Sequence, residues 1–186
     1  AGVSRRLYPH TYNIPKCLLQ VGNKPIIHYQ LEALSNLGVK EITIIVGYHR
    51  EMLMKNVEKY FPELVFDFVV NHHYFETNTA YSVFMGKERL DTDHLLMNAD
   101  VVYPKKLLAK LFYSDYKNVL AVDVKSCGRE EVKVINGGDN KVVAIGKELI
   151  EDLCLGEFIG VAKFSQEFIG HFVKSLGDLI KAGGKN

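Results

Sequence analysis

Strand and helix patterns alternate through the first two thirds of this chain, and that alternation narrows the fold more than any other feature. "EITIIVG" is a run of apolar, β-branched residues, as expected of a buried strand. "KPIIHYQLEALSNLG", just before it, spaces Ile27, Leu31 and Leu34 along one helical face, with Pro25 suited to the first turn and Gly38 to the end. "REMLMKNVEKYF" reads as a second helix, stopped by Pro62, and "LVFDFVV" as a second strand. "TAYSVFMGKERL" reads as a third helix, "HLLMN" as a third strand, "KKLLAKLF" as a helix opened by Pro104, and "NVLAVDV" as a strand. Such alternation predicts an α/β fold, a mostly parallel mixed sheet flanked by helices on both faces. "EVKVI", the turn "NGGDN" and "KVVAI" add a small antiparallel hairpin. "FIGVAKF" is a further strand, and "QEFIGHFVKSLGDLIKA" a closing helix.

The length, 186 residues, suits one domain spanning 1–186 with a sizeable core. Lys and Arg number 23 against 22 Asp and Glu, a net charge of +1 that gives no reason to expect a nucleic-acid or anionic-membrane partner. Cys17, Cys127 and Cys154 are odd in number and far apart in sequence, suggesting neither a zinc site nor a disulfide framework. A reducing, cytoplasmic setting is the expectation. No leader pattern or membrane-length apolar run is read. The seven histidines show no ligand spacing on a common face, so no zinc site is expected.

In open α/β sheets, ligands gather at the carboxyl ends of strands. Asp100 in "NAD", the segment "VGYHR" and the segment "NHHYFETN" each follow an expected strand, which places all three on one rim. The opening stretch, "AGVSRRLYPHTYNIPKCLL", is neither G-x-x-x-x-G-K-[ST] nor G-x-G-x-x-G.

Its spacing resembles the signature of the nucleotidyltransferases that activate sugar phosphates and related phosphate esters: A-G-x-G-x-R, then a Pro, a Thr and a Pro-Lys pair. Here the pattern stands as Ala1, Gly2, Ser4, Arg6, Pro9, Thr11, Pro15 and Lys16. "PKCLLQVGNKPIIHYQLEAL", "GVKEITIIVGY", "NADVV", "IGKEL" and "GEFIGVAKFS" extend the resemblance over almost the whole chain. It implies a three-layer Rossmann-like nucleotidyltransferase fold. It also implies an apolar strand ahead of the motif and a closing Trp-x-Glu-Ile-Asp segment whose Asp helps hold the metal; both are expected to lie outside this sequence. Ser4 departs from the family's usual Gly.

The resemblance assigns roles. Ala1, Gly2 and Ser4 would lie along the nucleotide's phosphates, Gly2 because a tight turn lets the backbone approach closely. Arg6 would grip phosphate oxygens and Lys16 would stabilise charge at the α-phosphate, with Pro15 stiffening its approach. The plainer alternative makes these cations solvated loop charges. Asp100 would hold Mg²⁺, or would simply cap the next turn; Asn98 would shape that turn. "TNTAYS" resembles the cytidylyltransferases acting on phosphocholine, aminoethylphosphonate or inositol phosphate. Asn78 would read the base edge, with Thr77 and Ser82 beside the nucleotide, unless Thr77 or Asn78 only caps the helix. Lys147 and Glu157 match positions near the acceptor. Tyr48, Tyr74 and Tyr81 are candidate walls for a quaternary ammonium, or ordinary packed aromatics.

The implied reaction is direct displacement: an acceptor phosphate oxygen attacks the α-phosphorus of CTP, and pyrophosphate leaves. The phosphate monoester is largely dianionic near neutral pH, so no general base is needed. The expected partners are CTP and a small phosphate ester or phosphonate, with a homodimer as the expected assembly. Two alternatives stay open: a hexose-1-phosphate uridylyl-, thymidylyl- or guanylyltransferase, and a non-catalytic nucleotide-binding regulatory subunit of the same fold.

Overall fold

A computed structural model of the chain describes Gly2 and residues 4–182, so the phosphate-side expectation for Ala1 lies outside the described residues. In chain order the elements are β1 (Gln20–Val21), β2 (Lys24–Pro25), α1 (Ile26–Asn36), β3 (Glu41–Val46), α2 (Arg50–Tyr60), β4 (Val65–Val70), α3 (Thr79–Met85), β5 (His94–Met97), α4 (Lys105–Phe112), β6 (Val119–Asp123), β7 (Lys133–Asn136), β8 (Val142–Gly146), β9 (Gly156–Phe164) and α5 (Gln166–Lys181). No helix among the described residues is long and apolar enough to cross a membrane. The chain divides into two compact units, residues 1–94, 99–105 and 165–186 in the first and 95–98 and 106–164 in the second.

In the first unit, β3 and β4 pair in parallel through six registered residues, Glu41 with Val65 to Val46 with Val70. Ile27, Leu31 and Leu34 of α1 are all buried, as their spacing predicts. With Leu53 and Val57 of α2 and Ile44 and Val46 of β3 they form the core, where each fully buried side chain contributes about 1.5–3 kcal/mol of transfer free energy. The third helix is shorter than its sequence pattern. It stops at Met85, and a 3-10 turn, Lys87–Arg89, follows. Gly86 caps the helix end and sits so close to β3 that a Cβ would lie 2.9 Å from Ile45 Cδ1, so a larger residue would push that side chain aside. Ser165 caps α5 by accepting from the Phe168 N–H, and the Gln166 N–H donates to Asp93 at 2.9 Å.

In the second unit, β9 pairs antiparallel with both β6 and β7, and β7 pairs antiparallel with β8. The turn of the β7–β8 hairpin holds Asp139 and Asn140 at φ 56° and 58°, two consecutive left-handed residues that match the right-handed twist of the strands. Gly160 in β9 is also left-handed, at φ 78°, and accepts from the Asn98 N–H at 2.7 Å. The Asn98 side chain fills the place of its missing Cβ. Lys163 of β9 donates to the carbonyls of Phe112 and Ser114, taking up groups that α4 leaves free at its end.

Candidate active site

The loop of residues 4–16 is braced by polar contacts of its own. Ser4 adopts φ 55°, the left-handed region that favours glycine, which accounts for the family's usual residue at this position. Its carbonyl accepts from the Leu7 N–H at 3.0 Å and from the hydroxyl of Thr11 at 2.9 Å. Thr11 has no exposed surface, so this hydrogen bond is sheltered from water. Tyr48, just past β3, donates its hydroxyl to the main-chain carbonyls of Thr11 and Tyr12. Gly2 and Arg6 are exposed, and nothing lies within 4 Å of where a Cβ on Gly2 would stand. The protein itself therefore imposes no steric demand for glycine there.

Lys16 follows Pro15, whose extended backbone (φ −66°, ψ 143°) leads into a 3-10 turn, Lys16–Leu18. The Lys16 Nζ stands 2.8 Å from an Asp100 carboxylate oxygen. The cation from the loop and the carboxylate from beyond the third major strand pattern thus meet, 84 residues apart in sequence (100 − 16). Both keep more than a third of their side-chain surface, which leaves the pair open to incoming ligands. Next to it, Cys17 is buried, and burial pushes its thiol from the ordinary 9.0 up to about 11. It serves as a small apolar anchor beneath the loop.

The base-side candidates are organised by a residue that the sequence reading passed over. Asn71 directly follows β4, is 1 % exposed, and donates its side-chain amide to Thr77 at 3.0 Å and to Ser82 at 3.2 Å. Its side-chain oxygen accepts from the His73 N–H, and its own N–H donates to the Val46 carbonyl of β3. One residue, by its main chain and its side chain together, therefore ties the ends of two strands to the start of α3. Its signal in the sequence was a lone amide directly after an apolar strand. Asn78 caps α3, accepting from the Tyr81 N–H at 3.0 Å. Asn71→Asp keeps the shape and loses both amide donors; with about 1–3 kcal/mol at stake for unpaired buried groups, the melting temperature should fall by several degrees and the nucleotide KM should rise. Thermal unfolding and initial-rate kinetics check both. Of the three tyrosines, Tyr48 and Tyr74 come together, with ring centroids 6.2 Å apart.

The acceptor-side candidates lie in the second unit. Lys147 follows the last residue of β8 and sits, exposed, 3.9 Å from the Glu130 carboxylate. Glu157, in β9, accepts from Lys125 at 2.7 Å, and that hydrogen bond holds the Lys125 pKa above its ordinary value. β7 runs between these two positions, since it pairs with both β8 and β9. Cys127 and Cys154, far apart in sequence, line one cavity of about 550 Å³ as free thiols, Cys127 donating to the Lys125 carbonyl and Cys154 to that of Glu151.

Comparison with known proteins places this geometry. A family model described as "Nucleotidyl transferase" matches residues 1–128. The choline-phosphate cytidylyltransferase of Streptococcus pneumoniae is 32% identical over 100% of this chain and 76% of its own. The CTP:phosphoglutamine cytidylyltransferase of Campylobacter jejuni is 29% identical over 93% of this chain and 74% of its own. Among solved structures, the inositol-1-phosphate CTP transferase from T. maritima superposes with a TM-score of 0.77 at 22% identity, covering 91% of this chain and 69% of that one. The expected nucleotidyltransferase Rossmann-like fold, with its mixed sheet and antiparallel hairpin, is the fold observed. By the family model, supported by these relatives over its length, the chain belongs to the nucleotidyl transferase family.

Proposed function

We propose that this protein is a cytidylyltransferase, joining the cytidylyl group of CTP to a small phosphate ester or phosphonate of the phosphocholine kind and releasing pyrophosphate. The observation that carries this reading is the meeting of Lys16, on the braced loop, with Asp100 at 2.8 Å. The relatives that use CTP on phosphate-bearing acceptors support it.

The fold family implies a divalent cation, and Asp100 suits a hard one. It is a partly exposed oxygen donor, and among the described residues no cluster of three or more His, Cys, Asp or Glu side chains could hold a metal. A single carboxylate fits Mg²⁺, which keeps several waters and is held by one or two carboxylates plus substrate phosphates. When bound, Mg²⁺ would offset phosphate charge and ease departure of pyrophosphate. The protein's own residues do the rest. Gly2 and Ser4 offer main-chain N–H groups to the triphosphate, and Arg6 contacts its oxygens. Lys16 leaves Asp100 for the α-phosphate, where charge grows during displacement. Lys147 takes the acceptor's phosphate, and Glu157 faces its polar or cationic end. The acceptor arrives already ionised, so no residue is required to remove a proton.

The Asn78 side-chain oxygen is committed to the helix cap, which leaves its N–H donors for the base. Those donors match the N3 acceptor of cytosine and oppose the N3–H of uracil. An unmatched buried polar group costs about 1–3 kcal/mol, so CTP should exceed UTP in kcat/KM by about tenfold or more. Pyrophosphate release by the full-length protein, measured with each nucleoside triphosphate against phosphocholine, aminoethylphosphonate, inositol phosphate and hexose 1-phosphates, tests the reading. Equal use of CTP and UTP would return the protein to the hexose-phosphate branch, and binding without pyrophosphate release would make it a regulatory subunit. Asn78→Ala should erode the CTP preference more than it lowers stability; retained selectivity would leave Asn78 with the cap alone.

A further inference from the structure

Lys133 is the largest of the fully buried side chains, with 1 % of its surface exposed. It opens β7, the strand that separates the two acceptor-side candidates, and its registered neighbours are Gly146 at the end of β8 and Glu157 in β9. Its Nζ donates to the main-chain carbonyl of Lys147 at 2.6 Å. Among the described residues no carboxylate pairs with it: that of Glu157 is taken by Lys125, and that of Glu130 stands beside Lys147. A lysine amine has up to three protons to donate when charged, and one protein acceptor is a meagre return for taking so polar a group out of water. Packing alone would be served better by an apolar side chain of the same length. A residue kept at such a position, gripping the backbone of one candidate binding lysine, is explained by what it does for that lysine.

We infer that Lys133 is a positioning residue for the acceptor phosphate: it fixes the backbone at Lys147 and thereby aims the Lys147 side chain. This rests on the assignment of Lys147 to the acceptor. Lys147 sits just beyond the end of β8, where an exposed side chain would otherwise sample many rotamers and directions. Holding its carbonyl from the neighbouring strand removes the backbone part of that freedom before the substrate arrives, and small errors in placement are costly in a reaction run by positioning.

The test uses Lys133→Met, which keeps length and apolar bulk and removes the donor. The KM for phosphocholine (or whichever acceptor the panel selects) should rise about tenfold or more, while the KM for CTP stays within about twofold because the nucleotide-side residues are untouched. The melting temperature should hold or rise, since a poorly partnered buried polar group is replaced by an apolar one. A purely structural lysine would do the opposite, lowering the melting temperature and disturbing both KM values together. In a Lys147→Ala background, Lys133→Met should change the acceptor KM by less than about twofold, because the residue through which it acts is gone. Full multiplication of the two effects would overturn the inference, as would an unchanged acceptor KM in Lys133→Met. If Lys147→Ala itself leaves the acceptor KM unchanged, the assignment of Lys147 fails and the inference falls with it. If only Lys133→Met is silent, the assignment stands and the inference alone fails. Should Lys133→Met yield no folded protein, Lys133→Leu, which likewise removes the donor and keeps apolar bulk, is put through the same measurements with the same deciding outcomes.

Discussion

Lys16→Ala is expected to slow pyrophosphate release by about 10²–10³-fold, the usual cost of removing one preorganised donor from a developing negative charge. The same change should barely touch the fold. Lys16 and Asp100 each keep more than a third of their side-chain surface, so their attraction is screened by water and a pair of this kind is worth about 1 kcal/mol or less. In a chain of this size that moves the melting temperature by no more than about 4 °C. Burst or single-turnover kinetics with CTP, together with a thermal melt, separate the two effects. A variant that turns over at near-normal rate would remove the loop from the chemistry. One that loses activity and stability in proportion would make Lys16 a structural partner of Asp100 and nothing more.

Asp100→Asn is expected to have an effect of similar size, with a different signature. The amide keeps the carboxylate's shape and gives up its charge, so the site should demand far more Mg²⁺ for half-maximal rate, and the maximal rate should fall by about 10²-fold. Calorimetry adds a readout independent of turnover: the gain in CTP affinity on adding Mg²⁺ should shrink in the variant. Overlapping Mg²⁺ titrations for variant and parent would show that Asp100 is not a ligand and return it to capping its turn. Lys16 also loses its partner in this variant, so some fall in rate without any change in metal demand would point to mispositioning of the lysine.

Local chemistry was readable from the sequence, and contacts across long stretches of sequence were not. "NGGDN" announced the hairpin because two consecutive left-handed residues require residue types that tolerate them, and Asp139 and Asn140 do. The buried face of α1 followed from its spacing. The third helix came out short because it ends at Gly86, a poor helix former, which also lies against Ile45 of β3. At the site, Lys16 and Asp100 were each legible from motifs, and their encounter follows from the topology that returns both to one place. Asn71 went unremarked because its role exists only once Thr77 and Ser82 are folded against it. Tyr48 is legible as a candidate aromatic wall or a packed aromatic; that its hydroxyl also holds the loop, bonding a main chain 37 residues away, is not. Nothing in "EVKVI" singles out Lys133, because its burial depends on its neighbours in β8 and β9. That Cys127 and Cys154 line one cavity left no trace in their spacing for the same reason.

The bracing of the loop at residues 4–12 has a thermodynamic consequence. A phosphate-binding segment that is slack in the free protein must surrender its conformational freedom when the nucleotide docks, and each residue ordered subtracts about 1–2 kcal/mol from the affinity. Here much of that ordering has already been met during folding, by the Thr11 hydroxyl on the Ser4 carbonyl and the Tyr48 hydroxyl on the carbonyl of Thr11. On the proposed reading, the loop meets its polyphosphate with part of its ordering already done, and less of its cations' attraction goes into arranging the chain.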